Sequence, residues 1–247
     1  WDNNEYTGKF TDIKEFAQKG SVVVVNDTAL LWEFPHDIFK CFKKTYVLTY
    51  MFMCQIQRYY YDLHKIPYEL VGVDKEYTDE PLEGDLVDIY EGKLNAVGDR
   101  ESALSKSWYQ RSHRAVKDLL RNNAYNFLYN KIGATSKNSM WTTFKQFKKS
   151  MGLHGYSKGF VPCNARSTNE HMHRNAAAYL LNLYMNPMIL AYFQKRGIEV
   201  DQDAYATSEL IQWLYRSCIR MHKSVYLYIP SSRMRRLLKQ KLRKQTS

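Results

Sequence analysis

Four consecutive valines, Val22 to Val25, sit between Ser21 and Asn26 and leave the chain few options there. β-Branched side chains are stiff at χ1, and a run without polar alternation suits a strand covered on both faces. Thr45-Tyr-Val-Leu-Thr-Tyr50 reads as a second strand of that kind and Tyr68 to Val73 as a third. Between them, His36 to Lys44 follows Pro35 as a short helix, and residues 55–64 read as another. Strand, helix, strand, helix, strand predicts a parallel α/β sheet in the first hundred residues.

Asp74 to Gly98 breaks the rhythm. It is acidic, carries Pro81, Gly84, Gly92 and Gly98, and reads as a connector. The expected division is an acidic segment, 1–100, with its linker from about residue 74, and a basic α/β lobe, 101–247.

Charge supports that division. Residues 1–100 hold 11 basic and 18 acidic side chains, a net −7, whereas residues 101–247 hold 25 and 7, a net +18. A basic half rich in Tyr, Trp and Phe suits nucleic acid, because cations hold phosphates and aromatic faces stack on bases. Twenty Tyr, 11 Phe and 5 Trp argue against disorder. No apolar run approaches the roughly 20 residues that span a bilayer, so no membrane partner is expected. Cys41, Cys54, Cys163 and Cys218 form no close pairs, so the sequence indicates neither a zinc site nor a disulfide framework. A reducing, cytoplasmic setting is expected. The chain opens at Trp1 without Met or a signal peptide, which reads as part of a longer protein.

In the basic half, residues 101–131 read as helical and Ser139 to Phe144 as a strand running into a Lys-rich helix at 145–151. Further helices are expected at about 171–184, from Pro187 to Gly197 and over 204–221. A strand at Ser224–Ile229 and a serine-capped basic helix from Ser232 close the chain.

Familiar catalytic signatures are absent. There is no phosphate loop, no dinucleotide fingerprint, no His-Glu-x-x-His and no nucleophile elbow. His171 and His173 flank Met172 without a third ligand at metal spacing, and read as ordinary polar residues. The most ordered polar set is Gln212, Arg216 and Arg220. Four-residue spacing on a helix of 204–221 would put them on one face, as donors for phosphate. A second set, Cys163-Asn-Ala-Arg166-Ser-Thr168-Asn169, lies in a loop where backbone N–H groups, Thr168, Asn169 and Arg166 can cradle an anion.

In that order, the Trp141–Phe144 strand, the Arg166–Asn169 loop and the Gln212/Arg216/Arg220 helix resemble the second motor lobe of a superfamily-two (DEAD-like) helicase. Leu48-Thr49-Tyr50 resembles the end of the first lobe. Tyr228-Ile-Pro-Ser-Ser-Arg-Met-Arg235 has the look of helicase-type proteins of phages and mobile elements. Arg216 lacks a preceding Gly, Arg220 is one residue late and Ser167 stands where the family has Gly.

The resemblance implies an α/β chain: the end of a first parallel-sheet lobe, then a helix-rich RecA-like second lobe. Arg216 and Arg220 would act as arginine fingers oriented by Gln212, Arg166, Thr168 and Asn169 would grip a nucleic-acid backbone, and Thr49 would join the lobes. Lys145, Lys148, Lys149, Arg233, Arg235 and Arg236 would add phosphate contacts. ATP and Mg would be held by residues upstream of Trp1, not by this chain, which alone should not hydrolyse ATP. DNA or RNA, with other replication or mobile-element proteins, would be the partners. Two alternatives stand beside it: a non-catalytic DNA- or RNA-binding phage accessory protein, and a self-assembling interaction module.

Overall fold

The computed structural model describes residues 2, 4–71, 84–165 and 169–243. In chain order the first half holds α1 (Thr11–Gln18), β1 (Val22–Val25), β2 (Ala29–Trp32), α2 (Ile56–Leu63), β3 (Val87–Ile89), α3 (Lys106–Arg111) and α4 (Arg114–Asn126). The second holds β4 (Ser139–Thr142), β5 (Ala176–Tyr179), α5 (Pro187–Gln194), α6 (Gln202–Leu214), β6 (Val225–Tyr228) and α7 (Ser232–Arg243). Among the described residues no helix is long and apolar enough to cross a membrane.

The chain forms two compact units. The smaller takes Trp1–Leu70 and Met185–Asp201 and the larger takes Val71–Tyr184 and Gln202–Ser247. In the smaller unit β1 and β2 make an antiparallel hairpin, with Val22 opposite Trp32 and Val25 opposite Ala29. Asn26 and Asp27 both adopt left-handed backbone, φ 53° and 54°, and the Thr28 N–H donates to the Val25 carbonyl. Paired positive φ values make a type I′-like turn, whose twist matches that of a hairpin. α5 starts where the Asn186 side chain accepts from the Met188 N–H and Pro187 takes the first turn; Gly197, at φ 76°, follows its end. Buried Tyr59 of α2 packs on Phe193 of α5, ring centroids 5.8 Å apart, and its hydroxyl accepts from the Asp201 N–H.

In the larger unit a four-stranded sheet runs β3-β6-β5-β4 with every pair parallel. All of β4 and β5 is buried, as expected for strands covered on both faces. Ala176 and Ala178 face Leu120, Ala124 and Phe127, from α4 and the wide π turn that ends it. On the opposite face Tyr179 meets Trp213 of α6, centroids 5.3 Å apart, and α7 packs against α6. The result is helix, sheet, helix. Buried aromatics find partners for their polar ends: Trp141 Nε1 donates to the Tyr156 carbonyl, Trp213 Nε1 to Val161, and the Tyr228 hydroxyl to Leu94.

At Tyr184 the chain leaves the larger unit, and at Gln202 it returns. Arg233 of α7, 3% exposed, ties the two points together. Its guanidinium donates to Asn182 Oδ1 (2.9 Å) and the Leu183 carbonyl (2.7 Å) on the outgoing side. On the returning side it donates twice to Asp203 Oδ1 (2.9 and 2.6 Å), and it lies 4.1 Å from the Tyr184 ring centroid.

Several expectations are corrected here. The valine run is half of a hairpin rather than a parallel strand, because Asn26-Asp27 turns the chain back; Val24 is 60% exposed. Residues 45–50 are no strand: among the described residues they join no sheet ladder, and Leu48 is 91% exposed. Residues 68–71 are irregular, and 72–73 lie outside the described residues. Among the described residues the parallel sheet therefore begins with β3, inside the expected connector, with no parallel strand before it; the break foreseen near residue 100 falls within the larger unit. The helix expected at 171–184 is instead the central strand β5. Alanine's helix propensity loses to a position where small side chains let layers close on both faces.

Candidate phosphate-binding site

Two segments lead into the central strands, Asn169–Asn175 into β5 and Cys218–Ser224 into β6. Backbone bonds stitch them together: the Cys218 N–H donates to the Arg174 carbonyl and the Tyr226 N–H to the Asn175 carbonyl. Across the seam Arg220 Nη1 donates to Asn169 Oδ1 at 2.7 Å. These residues come from the two motifs singled out in the sequence.

The three-rung ladder does not survive intact. α6 ends at Leu214, Ser217 is extended (φ −84°, ψ −170°), and Arg220 lies on a separate 3-10 turn, Cys218–Met221. Ser217 causes the break: its hydroxyl donates to the Leu214 carbonyl and caps the following turn, a local bond that competes with helix continuation. Gln212 and Arg216 are half-buried and Arg220 is exposed. Arg166 and Thr168 lie outside the described residues.

Sequence reasoning missed Arg174 and passed over His171. Arg174 is 9% exposed, with Nη1 donating to the Ser139 carbonyl and Nη2 to that of Lys158. Its Nε is buried with no hydrogen-bond partner among the described residues, and burial pulls the guanidinium below its usual range against the opposing pull of Glu170. The His171 ring is also held below its ordinary value. Burial acts first, then Arg174, with His173 and Arg216 adding to it and Glu170 opposing. Three arginines, Arg174, Arg216 and Arg220, thus gather around Asn169 and His171, with Glu170 as the carboxylate among them. No spacing rule finds Arg174; the topology brings it there.

That arrangement has a pH consequence. The folded His171 has a depressed pKa, so its neutral form contributes stability above about pH 6.5, and this is lost as pH falls through and below that value. Urea midpoints should decline from pH 7 to pH 5, and His171→Asn should flatten part of that decline.

The remaining expected contacts divide. Lys145, Lys148 and Lys149 are exposed on the turn after β4, Lys148 lying 4.5 Å from the Phe160 ring centroid. Arg233 and Arg235 are engaged internally, which corrects the reading of them as open phosphate contacts, whereas Arg236 stays exposed. Arg233 is the buried clamp, Arg235 Nη1 donates to the Ile229 and Pro230 carbonyls, and Arg236 pairs with Glu101 at 2.9 Å. With Lys239, paired to Glu91, Arg235 and Arg236 line a cavity of about 600 Å³ beyond the C-terminal ends of β3 and β6. Thr49, expected to join lobes, is exposed in the irregular segment after residue 41.

A parallel four-stranded sheet between helix layers is a Rossmann-like arrangement, and the family described as the YonV C-terminal Rossmann-like domain matches residues 82–242. The chain belongs to that family. The match opens beside β3 and ends in α7, so it covers the whole sheet described above. A relative, the SPbeta prophage-derived uncharacterized protein YonV of Bacillus subtilis (strain 168), is 41% identical over 250 residues. The alignment covers 96% of this chain and 61% of that protein, so the chain spans about three-fifths of the relative's length. Kinship to a prophage protein agrees with the phage character read from the sequence. No solved structure matches the chain.

Proposed function

We propose that the larger unit is the nucleic-acid-engaging C-terminal part of an ATP-dependent, translocase-like phage protein. Its Asn169–Arg220 cluster would meet phosphate. The observation that carries this reading is the 2.7 Å bond from Arg220 to Asn169, which joins two motifs 51 residues apart. A cluster assembled from both would serve a nucleoside triphosphate held by upstream residues, with Arg216 and Arg220 stabilising charge during phosphoryl transfer. Exposed Lys145, Lys148 and Lys149 would add sequence-independent backbone contacts.

The test is fluorescence anisotropy with single- and double-stranded oligonucleotides across a salt series. Wild type should bind with a steep salt dependence. Replacing Lys145, Lys148 and Lys149 by Ala should flatten the salt slope by up to about three units, one for each phosphate no longer neutralised. Arg216→Ala/Arg220→Ala should leave binding nearly intact, because those arginines address the nucleotide. The break after Leu214 favours a second reading, a non-catalytic DNA- or RNA-binding protein, in which the double substitution abolishes oligonucleotide binding. Absence of binding at low salt would sink both.

A further inference from the structure

The smaller unit carries a separate group of ligand-type side chains. Glu33 follows β2, His36 opens the short 3-10 turn after Pro35, and His64 closes α2. Their donor atoms all lie within 4.8 Å of one another. Glu33 and His64 are largely covered, with side chains 17% and 16% exposed, and Glu33 Oε1 lies 2.7 Å from His64 Nε2. That nitrogen is buried, yet among the described residues no hydrogen bond is aligned on it. The two groups are in ion-pair contact, and a zinc ion bonded to both at about 2.0–2.1 Å would part them to about 3.3 Å.

Glu33 is also held from behind. Its Oε2 accepts from the Tyr192 hydroxyl at 2.7 Å, the kind of outer bond that fixes a metal-binding carboxylate. The His36 ring stacks on His64, centroids 4.5 Å apart and planes 14° from parallel. Its side chain is 40% exposed and its Nε2 is 3.5 Å from Asp37, so it can rotate to bring its nitrogen to bear. Beside the three residues lies an apolar cavity of about 570 Å³, lined by Leu31, Trp32, Phe34, Phe39, Tyr60 and Phe193 among others, with Glu33 at its wall.

We infer that Glu33, His36 and His64 form a divalent transition-metal site of the zinc class, with an open coordination position facing the apolar cavity. Two imidazoles and one carboxylate suit zinc rather than magnesium or calcium, which prefer all-oxygen shells. Three protein ligands leave a fourth position for water or for a ligand with an oxygen or nitrogen donor and an apolar body. The site lies wholly in the smaller unit and is independent of the phosphate reading.

The test uses the untagged chain, stripped with chelator, loaded with zinc chloride and passed through gel filtration, with bound metal read by mass spectrometry. About one equivalent of zinc should remain, and cobalt(II) should give the intense visible bands of a four-coordinate site. His36→Gln, whose side chain is 40% exposed, should weaken zinc binding at least tenfold with unchanged circular dichroism. Tyr192→Phe should weaken it about 10–100-fold through loss of the outer bond. His173→Gln, in the larger unit, should bind as wild type does. No retained zinc overturns the inference, as does equal binding by wild type and His36→Gln.

Discussion

Gly98→Ala should cost about 3 kcal/mol or more and lower the melting temperature of the larger unit by roughly 6–12 °C. A Cβ built on Gly98 would lie 2.1 Å from the Pro230 carbonyl oxygen, 2.4 Å from its carbon and 2.9 Å from the Ser231 nitrogen. All three are backbone atoms, so no side chain can swing aside. The strain must be met by moving the loop between β6 and α7, and that loop is anchored. Ser231 caps α7 through the Met234 N–H, and Arg235 holds both the Ile229 and Pro230 carbonyls. Gly84→Ala is the control, since its nearest neighbour would be Leu242 Cβ at 3.9 Å. Thermal unfolding followed by near-ultraviolet circular dichroism distinguishes the two. A Gly98→Ala protein melting within 2 °C of wild type would mean that the close approach is not maintained in solution.

Arg233→Ala should be the second large effect, at about 3 kcal/mol, and the effect should be on stability rather than on binding. Removing the guanidinium strands Asn182 Oδ1, in a residue with no exposed surface, and the Leu183 carbonyl. Asp203 loses its cation too, but its side chain is 49% exposed and water replaces part of that interaction. Arg233→Lys should recover little, because an ammonium cannot span donors on both sides of the fork. Urea denaturation measures the cost. If the variant keeps wild-type stability and instead loses oligonucleotide affinity in a salt-dependent way, Arg233 is an exposed phosphate contact and the clamp is wrong.

The contrast between Arg233 and Lys145 shows what a sequence discloses and what it hides. Both stand in basic stretches and both read as phosphate contacts, yet one is sealed inside by Asn182 and Asp203, 51 and 30 positions away. Charge is a property of a residue; exposure is a property of the fold. β6 and α7 were legible because local signals agreed: a β-branched and aromatic run, then Pro230, then serines before an amphipathic helix. β5 was not, since Ala-Ala-Ala carries no strand signal by itself, and burial between two helix layers decides it. Val22–Val25 misled for the opposite reason, its strong strand signal being silent about whether the partner runs parallel or antiparallel; the turn at Asn26-Asp27 answered that. Within the site, Asn169 and Arg220 were legible as donors, and their bond was not. Arg174 entered through topology alone. Glu33, His36 and His64 gather on a hairpin exit and a helix end 28 residues apart, a spacing no metal motif describes.

The excursion of residues 185–201 also has a meaning in time. A chain is made from its N-terminus, so the first 70 residues emerge long before the helix that completes their unit. At about 5–20 residues per second, the wait from residue 70 to residue 201 is roughly 7–26 s. Through that interval Tyr59 lacks Phe193, and Trp32, Phe34 and Phe39 line a wall that α5 has not reached. The nascent chain is therefore at its stickiest while the ribosome is building the sheet of the other unit, and a holding chaperone would find its target there.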